Sequence, residues 1–109
     1  MKRLIALLFL IATTGVGQEP RVIAISAKRF EFTPSQITIK RGETVTLRVT
    51  AEDRDHGLFQ KELGLDLTLS PDQIAEATIT PQTAGRFIAI CDNFCGSGHG
   101  NMKMVILVE

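Results

Sequence analysis

Most of the residues here that could hold a soft metal fall in one short run. It reads Cys91-Asp-Asn-Phe-Cys95-Gly-Ser-Gly-His99-Gly-Asn-Met102, spaced C-x3-C-x3-H-x2-M. Two thiolates, an imidazole and a thioether form a soft donor set, suited to copper, zinc or iron–sulfur centres rather than magnesium or calcium. The thioether narrows the choice. Zinc sites normally use Cys, His and carboxylates, whereas a weak axial Met is typical of copper electron-transfer sites. The glycines at 96, 98 and 100 let such a loop fold tightly on itself. The chain has two Cys and two His, and the remaining His is His56, in Asp53-Arg54-Asp55-His56-Gly57. Blander readings stand beside this one. Cys91 and Cys95 also suit a short-loop disulfide, at least in an oxidised, metal-free form. An isolated His56 is as readily a surface or satisfied core residue. Met104 reads as strand packing.

The elements around this run read as strands. Val22–Ala27 alternates in part, and Gln36–Lys40 (Gln-Ile-Thr-Ile-Lys) alternates strictly. Thr44–Thr50 alternates and is rich in β-branched residues, and Arg41-Gly42-Glu43 between the two runs predicts a β-hairpin. Further strands are expected around Leu65–Leu69, Ile74–Thr80, Arg86–Ile90 and Lys103–Val108. His56 is placed just past a strand end, and the cysteine run becomes the loop between the last two strands. No stretch after the N-terminus has a helical period. About seven short strands with turn residues between them predict an all-β sandwich or barrel.

The N-terminus is different in kind. Lys2 and Arg3 precede an unbroken apolar run, Leu4 to Ala12, and then small residues up to Gly17. This predicts a signal peptide at residues 1–17, with a domain at 18–109. An uncleaved N-terminal anchor is the competing reading, although the run is short of the roughly 20 apolar residues of a spanning helix. Export would put the thiols in an oxidising compartment, the periplasm or the outer face of the cytoplasmic membrane. The 109 residues carry 12 basic and 12 acidic side chains and no net charge. That leaves room for one small domain and gives no electrostatic case for a nucleic-acid partner.

The cysteine run and the Asp-His-Gly around His56 resemble the CuA sites of cytochrome c oxidase subunit II and nitrous oxide reductase. Phe32-Thr-Pro34-Ser-Gln-Ile37-Thr-Ile39-Lys-Arg-Gly42-Glu-Thr-Val45 and Gly85-Arg-Phe87 are similar to cupredoxin strands leading toward such a site. The resemblance covers roughly residues 27–109. It implies a cupredoxin-like Greek-key β-sandwich holding two copper ions. Cys91 and Cys95 would bridge them, and His56 and His99 would be terminal ligands. Met102 would be the weak thioether ligand and Asn93 would supply its backbone carbonyl. Phe59 and Phe94, which flank ligands, would shield the centre.

The departures from the oxidase subunit are specific. The sequence has at most one short apolar segment where that subunit has a transmembrane hairpin. It has no Trp, the residue of the family's aromatic patch for receiving electrons. Asn93 stands where many members carry Glu. The resemblance therefore implies a small electron-transfer domain with no catalytic site of its own, whether free or docked on a terminal oxidase. Its partner would be a c-type cytochrome or another redox protein. Membrane contact would come only through an uncleaved N-terminal segment or a partner complex. A copper-delivery protein and a mononuclear cupredoxin are the alternative functions.

Overall fold

The computed structural model describes residues 20–94 and 96–109. The expected signal peptide and Cys95 lie outside these described residues. Nine strands follow in chain order. They are β1 (Arg21–Lys28), β2 (Glu31–Thr33), β3 (Gln36–Ile39), β4 (Val45–Ala51), β5 (His56–Gln60), β6 (Leu65–Leu69), β7 (Ile74–Ile79), β8 (Gly85–Ile90) and β9 (Lys103–Val108). Two single-turn 3-10 helices, η1 (Lys61–Leu63) and η2 (His99–Asn101), complete the set. The strands form two sheets, ordered β2-β1-β4-β7 and β3-β9-β8-β5-β6. The all-β sandwich expected from the sequence is the fold found.

Alternation explains why the sheets face each other. In β4, Val45, Leu47 and Val49 are fully buried, while Arg48 between them is exposed. Ile37 and Ile39 of β3 and Ile106 and Val108 of β9 enter the same core from the opposite sheet. Each such side chain contributes about 1.5–3 kcal/mol when fully buried.

Two expectations about connectivity are corrected. The runs flanking Gly42 do not pair as a hairpin. β3 lies in one sheet, parallel to β9, and β4 lies in the other, between β1 and β7. Gly42, at φ +84°, turns the chain from one layer to the other, so both alternating runs aim at a shared core from opposite sides. Among the described residues there are nine strands where about seven were expected, because β2 and β5 are strands as well. His56 is accordingly the first residue of β5, not a residue past a strand end.

The sheet order creates the site. β8 and β9 are antiparallel neighbours, in register from Gly85↔Val108 to Ile90↔Lys103. The loop from 91 to 102 therefore leaves one strand and enters the strand beside it. β5 lies on the other flank of β8, with Phe59 opposite Ile90. One step past Ile90, and a short step back along β5, brings Cys91 to Gly57 and His56.

Candidate metal centre

His56 is completely buried, unusual for an imidazole without a function. Its Nδ1 lies 3.8 Å from Sγ of Cys91, itself a free and buried thiol. Its Nε2 lies 2.8 Å from Oδ1 of Asp53. The other carboxylate oxygen, Oδ2, accepts the backbone N–H of Arg29 at 2.9 Å. Partial burial works to raise the Asp53 pKa, but the Arg29 amide and the His56 ring outweigh it and hold the carboxyl down at about 2. Asp53 is thus an anion aimed at the ring edge that faces away from Cys91.

Cys91 follows directly on β8, and its backbone N–H donates to the carbonyl of Met102 at 3.0 Å. That bond closes the base of the loop. The thiol donates to the backbone carbonyl of Asn93 at 3.3 Å. The Gly57 N–H points at the same sulfur, 3.5 Å away. Met102 is buried and its backbone N–H donates to the His99 carbonyl. His99 is half-buried at the start of η2, with its ring centroid 5.6 Å from that of Phe94. Phe94 is 68% exposed. The expectation that it shields the centre is therefore corrected: its ring lies beside His99 at the surface.

The structure brings His56, Cys91 and the Asn93 carbonyl together, and ties Met102 to Cys91 through the backbone. It places His99 on the same loop. Among the described residues, no three His, Cys, Asp or Glu side chains converge. The convergent set is one imidazole, one thiol and one carbonyl. Its spacing suits a shared metal. With Cys–metal and His–metal bonds of about 2.3 and 2.0 Å, two donors on one ion lie no more than roughly 4.3 Å apart. The soft and borderline donors here suit copper.

Two further contributors were not singled out from the sequence. Asp53 orients His56 through the ring nitrogen that faces away from Cys91, the role an outer carboxylate plays for a ligating histidine. Gly57 leaves room for the Asp92 carboxylate. A Cβ there would collide with Oδ1 of Asp92 and lie 3.2 Å from its Cγ and 3.5 Å from Cβ of Asn93. A concavity of about 310 Å³ beside Leu63, Pro81 and Phe87 includes none of the predicted ligands.

A two-sheet β-sandwich with a His on one strand, and a Cys–His–Met loop leading from the adjacent strand to the one beyond it, has the form of a cupredoxin. The chain belongs to the cupredoxin-like domain family, whose profile matches residues 3–108. Membership implies a copper site. The sequence is 24% identical over 98 residues to cytochrome c oxidase subunit 2 of Thermus thermophilus, covering 90% of this chain and 73% of that protein. It is 33% identical over 79 residues to nitrous-oxide reductase of Pseudomonas fluorescens, covering 69% of this chain but only 12% of the reductase. Among solved structures, the periplasmic domain of cytochrome oxidase subunit II of Bradyrhizobium japonicum superposes with a TM-score of 0.77 at 16% identity, covering 87% of this chain and 88% of that one. Auracyanin A, a blue copper protein of Chloroflexus aurantiacus, gives a TM-score of 0.66 at 16% identity, covering 84% and 100%.

Proposed function

We propose that this domain is a one-electron carrier with a binuclear copper centre of the subunit II type. Cys91 and Cys95 would hold the copper through their thiolates, His56 and His99 through their imidazoles, Met102 through a weak thioether and Asn93 through its backbone carbonyl. The observation that supports this reading most is the approach of His56 Nδ1 to Cys91 Sγ at 3.8 Å, with the Asn93 carbonyl 3.3 Å from the same sulfur. A blue-copper site needs one thiolate, and Cys91 is the additional one. When bound, copper supplies a one-electron couple.

The residues supply rigidity. Asp53 fixes the His56 ring and the backbone bond to Met102 fixes Cys91, with His56 in β5 and Cys91 directly after the adjacent β8. Donors held this way rearrange little between oxidation states, so an electron passes without bonds being made. Phe94 beside His99 gives an apolar surface next to a ligand. It suits the small, transient contact of a redox partner, a c-type cytochrome or another copper protein, with the domain free or docked on a terminal oxidase. Export through residues 1–17 to the periplasm, or to the outer face of the membrane, fits this role.

The resemblance in fold to a blue copper protein and to the metal-binding domain of a Cu(I)-exporting ATPase favours a second reading, a mononuclear or copper-delivery site. Cys91→Ser separates the two. A binuclear carrier falls from two coppers per chain to one or none. A mononuclear site built on Cys95 keeps its single copper and its colour.

A further inference from the structure

The turn between β1 and β2, Arg29 and Phe30, belongs to no ligand set, yet it meets the candidate site on two sides. The Arg29 backbone N–H reaches Oδ2 of Asp53 at 2.9 Å, and Asp53 in turn holds His56. Phe30 reaches the loop that carries His99. A Cβ placed on Gly98 would lie 2.7 Å from Cδ2 of Phe30 and 2.9 Å from Cγ and Cε2. A Cβ on Gly96 would lie 3.1 Å from Cε1 and Cζ of the same ring. The ring therefore rests on bare backbone, at Gly98 closer than a Cβ would allow.

This pairing answers two separate needs. A solvated turn favours Gly, Asn, Asp or Ser, so a phenyl ring there requires a partner. The segment Gly96-Ser97-Gly98 has almost no side chain with which to fix itself, and glycine leaves the backbone unusually free. The ring provides from outside the packing that the loop lacks.

We propose that Arg29–Phe30 is a strap across the copper loop. Phe30 is a positioning residue that holds residues 96–98, and with them His99, in place before metal arrives. The Arg29 amide does the same for His56 through Asp53. Release of copper to a competing ligand then requires the ring to lift. The inference rests on the copper reading of the site.

The test uses Phe30→Ala, with Phe30→Leu as a milder variant and Phe30→Tyr as the conservative one. The first measurement is amide hydrogen exchange in the metal-free protein at His99, Asn101 and Met102, whose N–H groups bond to the carbonyls of Gly96, Gly98 and His99. The Val105 amide, bonded to Ser35, reports global opening. The expected result is exchange about tenfold faster at the three loop amides in Phe30→Ala, with Val105 unchanged and Phe30→Tyr restoring protection. The second is transfer of Cu(I) from loaded protein to bathocuproine disulfonate, expected to be about tenfold faster in Phe30→Ala and near the parent rate in Phe30→Tyr. Loop exchange equal to the parent, or rising only in step with Val105, overturns the strap, as does an unchanged transfer rate. A parent chain that takes up no copper overturns the reading of the site instead, and the exchange experiment alone then decides the strap.

Discussion

Nε2 of His56 lies 2.8 Å from Oδ1 of Asp53, and this one contact decides which ring nitrogen faces Cys91. A carboxylate accepts only, so Nε2 carries the proton and Nδ1 presents its lone pair to the sulfur side. Burial of the ring makes the arrangement strict, because a flipped imidazole would leave both the carboxylate and the buried nitrogen unmatched.

Asp53→Ala is therefore expected to weaken copper binding about 10–100-fold, as loss of an outer partner to a ligating histidine does. Asp53→Asn should lie between, since an amide oxygen still accepts from Nε2–H. Competition against a chelator of known affinity measures this, with circular dichroism confirming the fold. Parent-like affinity in Asp53→Ala would show that the ring is positioned by packing alone.

Gly57 makes a different kind of demand. Any side chain there meets the Asp92 carboxylate before it meets anything else. Gly57→Ala should lower stability by no more than about 1 kcal/mol, because the exposed Asp92 carboxylate can swing aside, and alter the copper absorption spectrum, because the Gly57 N–H points at Cys91 Sγ. Asp92→Ala in the same chain should recover most of the loss, by removing the atoms in the way. Failure of that rescue in denaturant unfolding would place the cost elsewhere.

At the start of β1 and β4, Arg21 binds both carboxylate oxygens of Glu43, at 2.9 and 3.2 Å. The Arg21 side chain and then the Lys40 backbone N–H lower the pKa of Glu43 below its ordinary value. A carboxyl that is more acidic when folded stabilises the fold above its unfolded pKa and stops doing so as pH falls through its folded value. The parent should thus lose its advantage over Glu43→Gln as the solution is acidified through and below the ordinary carboxylate range. Melting temperatures of the two proteins from pH 6 to pH 3 test this. A difference that widens on acidification would contradict the assignment.

The proposed ligands stand out because their chemistry is local in sequence: two thiols, an imidazole and a thioether on one run need no tertiary knowledge to be noticed. The strands that carry them were legible only in part. β3 and β4 announce themselves by alternation, but alternation does not say which sheet a strand joins, and the turn at Gly42 leads to the other layer rather than back alongside. β5 escaped notice because it lies between β8 and β6 and is buried on both faces, all but Phe59. Such a strand has no polar face to alternate with. β2 is three residues long, too short for any period. The contact of Phe30 with Gly98 joins distant parts of the chain and has no signature in either segment.

The most direct test of the account is to load the reduced domain with copper, measure the metal-to-protein ratio and record the electron paramagnetic resonance spectrum. The account predicts two coppers per chain and hyperfine coupling of one unpaired electron to two equivalent copper nuclei. One copper per chain with coupling to a single nucleus would contradict it, leaving a mononuclear cupredoxin or a copper-delivery domain on the same fold.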